Sequence, residues 1–216
     1  MANSNTLSPQ IKKIITQSLI NKCHHILIEG YKLVNVAKIP LLNEMDEDNI
    51  TANLIEYMNK VKETRSSAIT ITPQYPIYNS SILSGLQKAK TAPVIDIRMS
   101  RWSRTNNFNY FIEAKNLSEK DWIKSSGANV NSNYYKRRYI NSGVDHFVNL
   151  HYPFGCLIGY IVNGRLAIIV KDINNILKLN MRHKERLTKN KKIYKRSCLY
   201  YSNHTSFNLL HFFFYI

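Results

Sequence analysis

The sequence predicts an α/β fold, with a mixed central sheet flanked by helices and an N-terminal helical segment over residues 1–40. Near the N-terminus, apolar residues recur at spacings of three and four, which is typical of an amphipathic helix. Between residues 92 and 116, apolar and polar residues alternate, which is typical of half-buried strands. Hydrophobic residues make up 44% of the 216 residues, enough apolar material for a packed core.

Two helices are predicted before residue 62. The first begins at Ser8 and Pro9, because serine caps helix N-termini and proline fits the first helical position. We expect it to end at Gly30, since glycine favours helix C-termini. The second has its buried face between residues 50 and 61. Its N-terminus is acidic, which the positive end of the helix dipole favours. The acidic residues there are Glu44, Asp46, Glu47 and Asp48.

The remaining chain is predicted to alternate strands and short helices. Ser118 and Asp121 resemble a cap before a short helix, and a further helix carries the tyrosines of 134–139. Asn163-Gly164 invites a hairpin, but the apolar spacing of 166–177 favours a helix there. We expect strands over residues 68–72, 92–99, 108–116, 154–162, 199–201 and 208–215.

The charge of the chain is strongly positive. Thirty Lys and Arg against fourteen Asp and Glu give a formal net charge of +16. Such a balance is typical of a protein that binds a polyanion, most often nucleic acid, although a solvated basic surface is the alternative. The density of positive charge is highest in the basic run, residues 182–196. The candidate phosphate contacts there are Lys189, Lys191, Lys192, Lys195 and Arg196.

Cysteine usage and hydropathy bear on location. Three scattered cysteines lack the spacing of a zinc site, and an odd count without a visible signal peptide favours a reducing cytosol. No apolar run approaches the roughly 18 residues that a membrane helix needs. We therefore expect a cytoplasmic protein with no membrane partner.

Two predicted strands contain the residues that are best suited to catalysis. Asp96 lies in the first, and Glu113 and Lys115 lie on one face of the second. If these strands pair, Asp96 sits beside Glu113, and two carboxylates with the Ala114 carbonyl form an oxygen-rich site for Mg²⁺. Hydrolysis of a phosphodiester needs such a metal, and Lys115 would face the scissile phosphate or the attacking water. An ion pair between Asp96 and Lys115 is the alternative.

These residues resemble the PD-(D/E)xK nuclease superfamily. Ile95-Asp96 is similar to its first motif and Glu113-Ala114-Lys115 to its second, although the proline here is Pro93 and not the residue directly before Asp96. An acidic residue on the preceding helix is usual in that superfamily. Glu47 is the best match, and Asp46 and Asp48 remain open.

The same resemblance extends weakly beyond these motifs. Tyr139, Gly143 and Phe147, at spacings of four, and His211 in the final strand look like segments that follow the core in restriction and defence members. The resemblance implies a restriction-endonuclease-like domain over residues 41–216. It also implies Asp96, Glu113, Ala114 and Glu47 as metal ligands, with Asp96, Glu113 and Lys115 as catalytic residues.

The expected activity is hydrolysis of nucleic acid with Mg²⁺ or Mn²⁺, with DNA favoured over RNA, and the resemblance adds a role in antiviral defence. The alternative is a basic, non-catalytic nucleic-acid-binding subunit of a larger complex. A partner protein or a homo-oligomer is compatible with either expectation.

Overall fold

The computed structural model describes residues 8–103, 107–150, 155–190 and 199–216. Its architecture is α/β, with a mixed seven-stranded sheet flanked by helices, as the sequence predicts. Within these ranges, no helix is both long enough and apolar enough to cross a lipid bilayer.

The helices fall before, between and after the strands. They are α1 (Pro9–Ala37), α2 (Glu47–Lys60), α3 (Lys62–Ser66), α4 (Ser80–Leu83), α5 (Ser132–Arg138), α6 (Asp145–Leu150) and α7 (Leu166–Leu179). A π-helical turn, Tyr139–Val144, joins α5 to α6. Short 3-10 turns occur at Leu42–Glu44, Ala89–Thr91 and His183–Glu185.

The large sheet has the strand order β1-β2-β3-β6-β9-β8-β7. Strand β6 runs parallel to β9, whereas β1–β2, β8–β9 and β7–β8 are antiparallel. A separate antiparallel pair is formed by β4 and β5. The strands are β1 (Thr70–Pro76), β2 (Val94–Trp102), β3 (Asn107–Ser118), β4 (Trp122–Ile123), β5 (Asn129–Val130), β6 (Gly155–Asn163), β7 (Thr188–Lys189), β8 (Leu199–Asn203) and β9 (Asn208–Tyr215).

The chain divides into two compact units. The first contains the residues as far as Ala37 together with Asn53–Phe111, and the second contains Lys38–Ala52 and Ile112–Ile216. In the first unit, His24 is buried and hydrogen-bonded to the Tyr110 hydroxyl at 2.5 Å. Burial lowers the pKa of His24 to about 4, so the ring is neutral at pH 7. The predicted division at residue 40 stays a prediction.

Helix α1 begins at Pro9 as predicted, but the prediction that it ends at Gly30 is wrong, since the helix continues to Ala37. Gly30 serves helix packing instead. A Cβ atom on Gly30 would lie 2.5 Å from Met58 Cγ and 3.1 Å from Met58 Cα on α2. The absence of a side chain therefore allows the two helices to approach closely.

Two predictions for the later segments have different outcomes. The prediction of a short helix after Ser118 and Asp121 is wrong, because Trp122–Ile123 forms strand β4. The Asp121 carboxylate accepts hydrogen bonds from the backbone and hydroxyl of Ser132, at 2.8 and 2.9 Å, where α5 begins. The preference for a helix after Asn163 is confirmed by α7.

Candidate active site

Strand β3, an interior strand of the sheet, carries the predicted Glu-Ala-Lys tripeptide with the expected alternation of faces. Ile112 and Ala114 are fully buried, and Glu113 and Lys115 are buried as well, so both faces of the strand are covered here. The Lys115 ammonium donates to Glu113 Oε1 at 2.7 Å and to the Ala114 carbonyl at 2.6 Å. A buried charge of this kind is tolerated only when it is paired.

The third acidic position is occupied by Glu47, the first residue of α2. Its Oε1 accepts a hydrogen bond from Lys115 Nζ at 3.1 Å, and its Oε2 accepts one from the backbone of Asn116 at 3.0 Å. The Asp46 carboxylate instead accepts from the backbone of Asn49 at 2.9 Å and caps α2. Of the three acids left open by the sequence, Glu47 thus has a hydrogen bond to Lys115. We call Glu47, Glu113, Ala114 and Lys115 the Lys115 cluster.

Contacts within the second unit hold Glu47 in this position. The Thr51 hydroxyl, one turn along α2, is hydrogen-bonded to the Tyr160 hydroxyl of β6 at 3.1 Å. Before the helix, the Glu44 carbonyl accepts from Lys124 Nζ at 2.5 Å. The start of α2 is therefore attached both to the sheet and to the β4–β5 connection.

The π-helical turn packs against the lysine through Gly143. A Cβ atom there would lie 3.1 Å from the Leu157 side chain and 3.6 Å from Lys115 Cγ. Glycine thus provides the space in which the aliphatic part of Lys115 runs beside Leu157. Of the residues of the weaker resemblance, Gly143 therefore lies next to the Lys115 cluster.

Two further charged groups adjoin the cluster that the sequence did not assign to it. His146 Nδ1 lies 3.6 Å from Glu113 Oε1, and Arg138 Nη2 lies 3.4 Å from Glu47 Oε1. In the sequence, Arg138 was indicated only by its place in a basic tripeptide, and His146 by no pattern at all. Both are half-exposed, so a bound substrate could reach them.

A cleft of about 250 Å³ opens beside Glu47. Burial raises the pKa of Tyr135 in this cleft, so its hydroxyl stays protonated at neutral pH. The lining contains acids, cations and a phenol, a mixture that suits a phosphate bound together with a cation. The lining residues are Asp46, Glu47, Asp48, Asn116, Lys124, Tyr135 and Arg138.

The oxygens of the Lys115 cluster fit a hard divalent cation. Lys115 Nζ already contacts two carboxylates and a carbonyl, and Mg²⁺ prefers such oxygens. Glu113 Oε2 is buried and has no hydrogen-bond partner among the described residues. In the part of the chain that the structure describes, no group of three or more His, Cys, Asp or Glu side chains could itself hold a metal. A metal would therefore also need the Ala114 carbonyl and a carboxylate from another element.

Asp96 lies on β2, which neighbours β3 in the sheet, and it is buried. It belongs to the first unit, whereas Glu113 belongs to the second. The juxtaposition of Asp96 with Glu113 stays a prediction.

The basic run is only partly described. Lys189 is exposed on β7, and Lys191, Lys192, Lys195 and Arg196 lie outside the described residues. The first unit contains a second cationic surface, a shallow cleft of about 600 Å³ that we call the basic cleft. Helix α3 contributes to this surface, and its Glu63 pairs with His25 at 3.6 Å. The basic cleft is lined by Lys60, Lys62, Arg65 and Ser66.

A buried polar chain joins the π-helical turn to the final strands. The Tyr139 hydroxyl is hydrogen-bonded to His211 Nδ1 at 2.8 Å, and Ser202 Oγ is 2.8 Å from both His211 Nε2 and His204 Nε2. Burial lowers the pKa of His211 to about 3, so this ring is neutral. Because His211 is fully buried, this series of hydrogen bonds stabilises the packing, and His211 cannot contact a substrate. Two of the four residues of the weaker resemblance, Tyr139 and His211, are thus direct partners.

No family model, curated protein or solved structure matches the chain. The chemistry of the site must therefore be inferred from its own residues.

Proposed function

We propose that the chain is a metal-dependent nuclease with a restriction-endonuclease-like domain, and that DNA is its preferred substrate. The observation that carries the proposal is the contact of one lysine with two glutamates and a peptide carbonyl. Lys115 approaches Glu113, Ala114 and Glu47 at 2.6 to 3.1 Å. Lys115 compensates part of the charge of these buried carboxylates, and a divalent metal on the same oxygens is the cation that phosphodiester hydrolysis uses.

Each residue then has a definite task. Glu47, Glu113 and the Ala114 carbonyl would hold Mg²⁺ or Mn²⁺, and Asp96 stays the further ligand that the sequence predicts. When bound, the metal supplies positive charge at the phosphoryl oxygens and lowers the pKa of water. Lys115 keeps a compact positive charge beside the carboxylates and orients the attacking water. Arg138 would bind the phosphate that enters the neighbouring cleft.

A second function is favoured by a separate observation. The basic cleft contains three cations and no acidic lining residue, so it would bind nucleic acid whether or not the chain cleaves it. A non-catalytic binding subunit is therefore the alternative. A cytoplasmic location and a role in antiviral defence are part of the proposal.

Cleavage of supercoiled plasmid tests the proposal. We expect nicked or linear product with Mg²⁺ or Mn²⁺ and intact plasmid with EDTA. A parallel reaction with RNA of the same sequence tests the preference for DNA. Plasmid that is bound but stays intact in Mg²⁺ and Mn²⁺ would favour the binding subunit.

Removing positive charge from either basic surface should reduce the salt dependence of binding. Changing Lys60, Lys62 and Arg65 to serine should reduce the slope of log Kd against log salt concentration. The reduction should be about 0.9 for each phosphate that is no longer neutralised. The same is expected for Lys189, Lys191 and Lys192 if the basic run contacts the backbone. Fluorescence anisotropy of labelled duplex in EDTA measures both slopes without cleavage.

A matched control removes three positive charges elsewhere. Lys12, Lys13 and Lys171 are exposed on α1 and α7. Their change to serine should leave the salt slope unchanged. An equal decrease in all three variants would mean that net charge, and not a defined surface, determines binding.

A further inference from the structure

The polar face of β2 ends in an aromatic and cationic cluster. Asp96, Arg98 and Trp102 lie on one face of this strand because side chains alternate. The Arg98 guanidinium is buried and lies 4.2 Å from the centre of the Tyr75 ring and 5.5 Å from that of Trp102. We call Tyr75, Arg98 and Trp102 the stacking cluster.

The arginine is held rigidly in this arrangement. Its Nε donates a hydrogen bond to Asn109 Oδ1 on β3 at 2.8 Å. On β1, Gln74 has a φ of 46°, in the left-handed region, immediately before Tyr75. Backbone strain of this kind is concentrated at functional sites. The stacking cluster is therefore preorganised and does not depend on flexible side chains.

The outer member of the cluster faces solvent. Trp102 is 64% exposed, although tryptophan is usually well buried. Arg98 lies over one face of the indole, and with 64% of the residue exposed the ring is still accessible to a ligand. An exposed aromatic ring beside a fixed guanidinium is the combination on which the bases of single-stranded nucleic acid stack.

We propose that the stacking cluster binds an unpaired base of a single-stranded segment. The inference rests on the proposed function for its consequence, and it names the substrate class: nucleic acid with unpaired nucleotides. Six residues of strand separate Asp96 from Trp102, which is about 20 Å. The stacked base would thus lie about that distance along β2 from Asp96. A paired base cannot stack here, because its faces are covered by its neighbours in the duplex.

Tryptophan fluorescence tests the proposal directly. The chain has two tryptophans, and Trp122→Phe leaves Trp102 as the only one. This change is mild, since Trp122 Nε1 has no hydrogen-bond partner among the described residues. In EDTA, oligothymidylate should quench the emission of Trp102 in a saturable way. Bound duplex should leave that emission unchanged.

Affinity gives a second, independent measurement. Stacking is worth about 1 to 3 kcal/mol per base, so Trp102→Ala should weaken binding of oligothymidylate by roughly 5- to 150-fold. Trp102→Phe should retain part of the affinity, and both variants should bind duplex as the unchanged protein does. Because Trp102 is largely exposed, its removal should not prevent folding.

Three results would overturn the inference: unchanged Trp102 emission at saturation with oligothymidylate, equal loss of affinity for single strand and duplex, or no binding of oligothymidylate. None of them decides whether the chain cleaves DNA. That question is answered separately by the plasmid reaction with Mg²⁺, so the two proposals can fail independently.

Discussion

Glu113→Gln is expected to remove metal-dependent cleavage while leaving the protein folded. Glutamine keeps the size of the side chain and one oxygen for the Lys115 ammonium, which lies 2.7 Å from Glu113 Oε1. It removes the charge that would hold the metal. A metal contributes several kcal/mol to transition-state stabilisation, and each 1.4 kcal/mol is tenfold in rate, so the rate should fall by about 10²- to 10³-fold or more.

The measurement is the rate of plasmid nicking at saturating Mg²⁺, with circular dichroism to verify folding. Glu29→Gln is a matched control, because Glu29 pairs with Lys32 at the surface of α1, and this change should leave the rate unaltered. Full nuclease activity in purified Glu113→Gln protein would show that the Lys115 cluster is not the catalytic site.

Lys115→Ala is expected to cause a large loss of stability that depends on metal. The side chains of Glu113 and Glu47 are only 4% and 13% exposed, and without Lys115 they lose their main positive neighbour. Breaking a buried ion pair by removal of one partner costs about 3 to 5 kcal/mol. Mg²⁺ that binds the native state should restore part of this stability, according to its concentration relative to its Kd.

Urea unfolding in EDTA and in Mg²⁺ measures the effect. Adding Glu113→Gln to Lys115→Ala should restore stability in EDTA, since it removes one of the buried negative charges that Lys115 neutralised. The control is Lys60→Ala, because Lys60 and Glu56 form an exposed pair that contributes about 0 to 1 kcal/mol. A Lys115→Ala protein as stable in EDTA as the unchanged chain would contradict the idea that the lysine compensates buried charge.

Local periodicity determined several elements of this fold. Alternation in β3 predicts that Glu113 and Lys115 share one face, and the two side chains are hydrogen-bonded there. Spacings of three and four predict α7 in place of a hairpin, and serine followed by proline predicts where α1 begins. These predictions succeed because a repeat of two or of 3.6 residues can be recognised from a few neighbouring positions of the sequence.

Tertiary contacts decided features of the fold that the periodicity of the sequence does not encode. Gly30 looked like a helix end, but the approach of Met58 on another helix requires glycine in the interior of α1. Ser118 and Asp121 looked like a local cap, but the Asp121 carboxylate binds Ser132, eleven residues away. In both cases, the deciding partner is distant in sequence, and its interaction stabilises the fold more than the local preference does.

The site shows the same division. Sequence alone predicted Asp96 and Glu113 as metal ligands and Lys115 as a catalytic residue, from their types and their strand faces. It left Glu47 open among three acids, because all three favour a helix N-terminus equally. Only the packing of α2 on the sheet brings Glu47 to Lys115, 68 residues along the chain, while the Asp46 carboxylate caps the helix. A helix dipole attracts any nearby carboxylate, whereas a hydrogen bond across the fold selects one.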